Sequence, residues 1–242
     1  MQFVPDDAYY YMVLARNFAD LGQWTFDSGT SLTTGFHPLH AYALVVLYSV
    51  TQASGEQFVC LNMLLSYSVA LPAVLLAARF AICRGGLLPS CLILLFLLSR
   101  NFSLNLTSGM EWGWGVSLAA FYACSYWSLG GPRHRRALLA LGVIGFLGSL
   151  ARTDFGLFPA TLFAASLPAL RSPGGKARIQ GAALGLAAAA LGVAAVFLHN
   201  DWSTGQALQS SAQIKKLWLA TYGPSPGPIT EKVLVLFGKG ND

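Results

Sequence analysis

The sequence predicts an all-α fold: a polytopic transmembrane helix bundle of about six spans, with an external juxtamembrane helical segment ahead of it. Three observations predict this. Hydrophobic residues make up 55% of the 242 residues and charged residues only 10%, where a soluble domain carries roughly 25%. Apolar runs near the ~20 residues that a membrane helix needs recur along the chain. Lysine and arginine gather in short loops between those runs, as in the cytoplasmic loops of membrane proteins. The net charge of +5 is therefore assigned to topology, and nucleic acid is not expected as a partner. Cys60, Cys83, Cys91 and Cys124 lie in or beside apolar runs without metal-ligand spacing, and read as small hydrophobes.

Residues 1–57 form the external segment. A helix is expected over 8–21, with Asp6 or Asp7 where an N-cap belongs. Two adjacent carboxylates exceed what a cap needs, and a carboxylate beside a like charge has its pKa raised, which suits a general base. Cap and base are both open readings. Thr33-Thr34-Gly35-Phe36-His37-Pro38-Leu39 reads as a turn into an apolar helix over 39–50, with Pro38 near its first turn. That helix is short for a span and either crosses or lies at the interface. His37 either binds substrate or hydrogen-bonds the loop.

The bundle is expected over 58–198, with spans at 58–82, 87–106, 112–129, 137–150, 155–170 and 179–198. The fourth and fifth are short. Three basic groups fall on one side of such a bundle: Arg79 with Arg84; Arg133, Arg135 and Arg136; and Arg171, Lys176 and Arg178. The positive-inside rule makes that side cytoplasmic, and every Asp and Glu falls on the other. Residues 1–57 then begin outside, so a preceding helix is expected, and 199–242 reads as an external segment opening a truncated remainder. The chain is expected to be a fragment that works with further helices or a partner subunit.

Two polar clusters lie at the external ends of these spans. Ser108-Gly109-Met110-Glu111-Trp112 follows Arg100, Asn101 and Asn105. A charge at the centre of a membrane helix costs about 2.5–3.5 kcal/mol on insertion scales. Arg100 and Glu111 therefore sit near the interface, pair, or face a wet cavity. Arg152-Thr153-Asp154 is either a local ion pair or part of a site. A last polar stretch holds Asn200, Thr204-Gly205, Ser210-Ser211 and Lys215.

In this order the clusters resemble multi-spanning glycosyltransferases of the GT-C class, related to dolichyl-phosphate-mannose protein mannosyltransferases and aminoarabinose transferases. Asp6-Asp7-Ala8-Tyr9-Tyr10-Tyr11 looks like the acidic motif of their first external loop, and Gly35-Phe36-His37-Pro38-Leu39 like its later His-Pro turn. Ser108-Gly109-Met110-Glu111, Ala151-Arg152-Thr153-Asp154 and the Asn200 to Lys215 stretch are similar to further motifs. The chain departs from the class in lacking a first span and a later half, and in Trp112 after Glu111.

The resemblance implies transfer of a sugar from a polyprenyl-phosphate donor at the non-cytoplasmic face, in the cell membrane of a prokaryote. It implies Asp6 and Asp7 as catalytic groups, with Tyr10, His37, Arg100, Glu111, Arg152, Asp154 and Lys215 binding substrate. A divalent metal on Asp6 and Asp7 stays open, since no complete ligand set is visible. The competing readings are a membrane transporter, which would place its charges near the midplane within inverted repeats, and a non-catalytic membrane subunit.

The orientation has a direct check. In intact cells a cysteine introduced as His134→Cys should resist an impermeant thiol reagent, because position 134 falls in a basic loop. Labelling there would overturn the orientation.

Overall fold

A computed structural model of the chain describes residues 6–27, 29–84, 108–129, 134–171 and 174–209. The expected span at 87–106 and the residues Arg100 and Lys215 lie outside them. The described residues are helical apart from loops and one isolated bridge between Thr25 and Leu32. Seven α-helices are seen: α1 (Asp6–Leu21), α2 (Pro38–Thr51), α3 (Gly55–Arg84), α4 (Trp112–Trp127), α5 (His134–Ala151), α6 (Leu157–Ser166) and α7 (Gly175–Thr204). Short 3-10 turns, Thr153–Gly156 and Leu167–Arg171, flank α6.

Among the described residues three helices are long and apolar enough to cross a membrane: Gly55–Phe80 within α3, His134–Ala151, and Gly175–Thr204. This is the composition of a membrane protein. Of the other expected spans, 112–129 appears as the 16-residue α4. The expected span at 155–170 appears as the 10-residue α6 between its two 3-10 turns. At about 1.5 Å rise per residue, neither α4 nor α6 alone covers a ~30 Å hydrocarbon core.

The helices run in two parallel pairs. Gly113 of α4 meets the Ser66 backbone of α3, and Ser117 Oγ donates to the Val69 carbonyl at 2.8 Å. Farther along the same two helices, Phe80 faces Trp127 with ring centroids 6.4 Å apart. In the second pair, Gly145 of α5 lies against Gly185 of α7 and Ser149 against Gly192. A Cβ at Gly113 would sit 2.8 Å from the Ser66 carbonyl oxygen, so both pairs depend on small residues. In a lipid solvent that close approach is what drives association, because lipid tails are as apolar as the side chains. Helix α6 returns along α7, and Tyr126 of α4 shares a 2.5 Å hydrogen bond with Ser166 at its end.

This arrangement gives the molecule two ends. One carries Glu111, Arg152 and the start of α3. The other carries the last turn of α3, the last turn of α4 and the first turn of α5. The paired helices α1 and α2 cap the first end. Pro38 opens α2 with the fixed φ that suits a first helical turn. Gln52 closes it in the left-handed region at φ 50, its N–H donating to the Tyr48 carbonyl. Between α1 and α2, Trp24 stacks on Phe18 at 4.1 Å and tilts against Phe36 at 4.3 Å. Asn17 Nδ2 ties α1 to this loop through the Thr25 carbonyl at 2.7 Å. The stretch after α7 closes over it, with Gln209 Nε2 donating to the Phe36 carbonyl at 3.3 Å.

The α5–α7 contact should tolerate no side chain. Gly145→Val should destabilise the protein by about 1–3 kcal/mol, the range for overpacking a close contact. Gly142→Val, beside the yielding Leu184 side chain, should cost much less. Thermal unfolding of the two variants in one detergent checks this. Equal melting temperatures would mean that the two helices do not meet through Gly145.

Candidate functional site

Four chain segments meet at the capped end of the bundle. The first is the turn ahead of α4, where Gly109 adopts φ +69. That conformation favours glycine, and it turns the Gly109 carbonyl inward. Asn62 Nδ2 of α3 donates to that oxygen at 2.7 Å, and His40 Nε2 of α2 lies 3.3 Å from it. Asn62 and His40 are fully buried, so one carbonyl binds α2, α3 and the turn together. Burial lowers the His40 pKa to about 4. The imidazole is therefore neutral at pH 7, and it donates to the carbonyl in the tautomer with the proton on Nε2.

Two residues on, Glu111 precedes α4 with only 3% of its surface exposed. Arg152, in the turn between α5 and the 3-10 segment, reaches its Oε1 with Nη1 at 3.3 Å. The remaining fork of Arg152 holds Asp154: Nε to Oδ1 and Nη2 to Oδ2, each at 3.0 Å. The guanidinium carbon also stands 5.4 Å from the Trp112 ring centroid. Gly115 leaves room for the arginine stem, since a Cβ there would lie 3.3 Å from Arg152 Cδ. The bidentate bond to Arg152 holds the Asp154 carboxyl below its usual range, and the same bond holds the arginine firmly protonated.

His37, the residue before α2, completes the cluster. Its Nε2 lies 3.6 Å from Glu111 Oε1, beyond ordinary hydrogen-bond reach. Desolvation depresses its pKa despite the neighbouring carboxylate, so His37 is neutral at pH 7 and the contact is not an ion pair. The His37 backbone N–H donates to the Tyr11 hydroxyl at 3.0 Å. Burial first and the Glu111 charge second raise the Tyr11 phenol well above its usual value, so it keeps its proton. Glu111 Oε2 and His37 Nδ1 are buried and have no hydrogen-bond partner among the described residues.

The structure thus brings together His37, Glu111, Arg152 and Asp154. It does not bring Tyr10 to them: that side chain is exposed and edge-on to Phe26 at 5.5 Å. Asp6 and Asp7 lie in the first turn of α1. The next residue, Ala8, packs over the Gly109 turn, 3.5 Å from where a Cβ of Gly109 would stand. The carboxylate side chains of that turn lie outside the described part. Expected pairing of Arg100 with Glu111 falls there too, and the observed partner of Glu111 is Arg152. Among the described residues no three His, Cys, Asp or Glu side chains gather as metal ligands.

Sequence reasoning missed Tyr11, His40 and Asn62. Tyr11 had a signal, since it lies one helical turn after Asp7 and shares its face. Asn62 had another, as an amide inside an otherwise apolar span. Beside Arg152 and Asp154 an apolar groove of about 420 Å³ runs between α4 and α6, walled by Val116, Ala119, Phe155 and Phe158. Compared with protein-family models, with characterised proteins and with solved structures, the chain matches none.

The two ion pairs of Arg152 differ in burial, and this separates their worth. Glu111→Gln should cost about 1–3 kcal/mol, because it weakens the hold on Arg152 in a desolvated place. Asp154→Asn should cost about 1 kcal/mol or less, since its carboxylate side chain is 57% exposed and water replaces the bond. Unfolding of the two variants under identical conditions gives the comparison. A reversed order would mean that the Glu111 pair does not hold this end together.

Proposed function

We propose that the chain is part of a membrane glycosyltransferase of the GT-C type, transferring a sugar from a polyprenyl-phosphate donor at the non-cytoplasmic face. The observation that carries the reading is the meeting of Arg152 with the apolar groove between α4 and α6. A lipid phosphate needs a charged fork for its head beside a greasy trough for its tail. An arginine supplies the fork by paired, charge-assisted hydrogen bonds. In this reading the exposed Asp154 gives way to the phosphate at small cost, while the buried Glu111 keeps the arginine aimed. Glu111 Oε2 and His37 Nδ1, both lacking partners among the described residues, suit the hydroxyl groups of a sugar.

The chemistry follows from the segments that meet here. An acceptor hydroxyl attacks the anomeric carbon and gives its proton to Asp6 or Asp7, which open α1 above the Gly109 turn. The bond to the lipid phosphate breaks as the sugar centre becomes oxocarbenium-like. The phosphate leaves as an anion held by Arg152. A single displacement of this kind inverts the anomeric centre. About six spans and the cell membrane of a prokaryote complete the proposal.

A second reading is a non-catalytic membrane subunit. One observation favours it: Arg152 has all its reach taken by Glu111 and Asp154, which is what a purely structural clasp would look like.

Turnover in proteoliposomes separates the two. In the full-length protein, Asp6→Asn or Asp7→Asn should slow sugar release from a polyprenyl-phosphate donor by about 10²–10⁴-fold at saturating donor, the usual contribution of a general base. Arg152→Lys keeps the charge but loses the planar fork, so it should chiefly raise the donor concentration needed. Near-normal rates in both Asp variants and their double would remove the catalytic reading of α1.

A further inference from the structure

The opposite end of the bundle carries a groove of about 480 Å³ between α3, α4 and α5. Its lining is ordered along the helix axes. On α3 the deeper residue is Leu76 and the outer ones are Arg79, Phe80 and Cys83. On α4 the deeper residue is Phe121, with Ser125 and Ser128 nearer the end. On α5, which runs the other way, Arg136 is outermost and Ala140 lies one turn deeper. Each of the three helices thus brings a cation or hydroxyls to the outer half, beside Phe80 and Cys83, and only apolar residues to the depth.

Among the described residues the two arginines have no counter-charge. Neither makes an ion pair with a described residue. The sequence explains why: no Asp or Glu occurs between Glu56 and Glu111, or between Glu111 and Asp154. The helices that line the groove and the stretches joining them therefore offer no carboxylate at this end. Arg136 also sits in the first turn of α5, where the free N–H groups and the helix dipole add to the positive potential. Hydroxyls at Ser125 and Ser128 are present on the rim, but their oxygens are neutral and do not balance a guanidinium. Ser128 Oγ already donates to the Cys124 carbonyl at 2.7 Å.

The geometry points to a site for an anionic glycerophospholipid, its phosphate held between Arg79 and Arg136 and one acyl chain laid inward along Leu76, Phe121 and Ala140. Charge complementarity selects the headgroup, and the polar-to-apolar order along three helices selects an amphiphile over a free anion. Basic pockets between membrane helices take anionic headgroups in this way, each cation near the lipid surface strengthening binding roughly fivefold. The site lies at the far end of the bundle from Arg152 and does not rest on the glycosyltransferase reading. Bound there, the lipid would clamp α5 to α3 and α4, bridging helices that carry no opposite charges of their own.

Native mass spectrometry of the full chain, released from detergent with phosphatidylglycerol or phosphatidylcholine, tests this. The expected result is a preference for phosphatidylglycerol that falls about fivefold in Arg79→Gln or Arg136→Gln and about 25-fold in the double variant, the product of two such losses. Arg178→Gln, a basic residue that does not line the groove, should leave the preference intact. Peptide mapping gives an independent readout: phosphatidylglycerol should slow maleimide labelling of the exposed Cys83, and Ala140→Phe, which fills the depth, should abolish that protection. Equal binding of both lipids, a preference unmoved in the double variant, or equal protection of Cys83 by inorganic phosphate would each overturn the assignment.

Discussion

A carboxylate buried at the head of an apolar helix has to be neutralised, and in this protein that demand organises one whole end of the molecule. Glu111 is almost without solvent. An unpaired charge in such a place costs several kcal/mol, so Arg152 must come to it. Arg152 belongs to the turn after α5, and its arrival fixes the spacing of α4 and α5 at that end. Gly115 is the local price of the approach, because any side chain there would meet the arginine stem. The Gly109 carbonyl then repeats the logic with neutral groups: its two partners, Asn62 and His40, are buried amide and imidazole donors. One ionic contact and one shared carbonyl hold five elements together, while the rest of the bundle relies on small residues.

Those small residues work through shape alone. Where Gly113 faces Ser66 and Gly145 faces Gly185, backbone meets backbone. Dispersion between closely packed main chains replaces the hydrophobic drive that lipid does not supply. The aromatic cluster of Phe18, Trp24 and Phe36 follows a different rule. It packs as a soluble core does, under the loop between α1 and α2, and Tyr42 reaches from it to His199 at the end of α7 with a 3.0 Å hydrogen bond. The chain thus solves two packing problems, one for lipid and one for the water interface, and the candidate site lies on the border between them.

The helical class and the long apolar helices α3 and α7 were legible because composition and run length carry them directly, whereas the 137–150 run read as short and appears as the 18-residue α5, lengthened by its polar start at His134. Glu111, Arg152 and Asp154 were legible as anomalies, since charge beside apolar runs is costly enough to demand an explanation. Their pairing was not legible. The sequence offers Arg100 eleven residues before Glu111 and Arg152 forty-one after it, and it takes the packing of α4 on α5 to bring Arg152 to the carboxylate. Tyr10 and Tyr11 illustrate the same limit on a smaller scale. One faces Phe26 at the surface and the other the buried cluster, and a one-residue difference in helix phase of about 100° separates them. Helix lengths were the other weak point, because the 112–129 and 155–170 runs are apolar throughout while their regular helices stop at Trp127 and Ser166.

The segregation of charge along the bundle also has an electrical meaning. Glu111 and Asp154 outnumber their shared partner Arg152 at one end, and Arg79 and Arg136 stand at the other. A body built this way carries a permanent moment along the membrane normal. Moving one elementary charge through the full field of an energised membrane changes its energy by about 2.3 kcal/mol per 100 mV. Inverting the bundle would carry acids and arginines across in opposite senses, and the two contributions add. A membrane voltage would therefore distinguish the two ways such a bundle can sit.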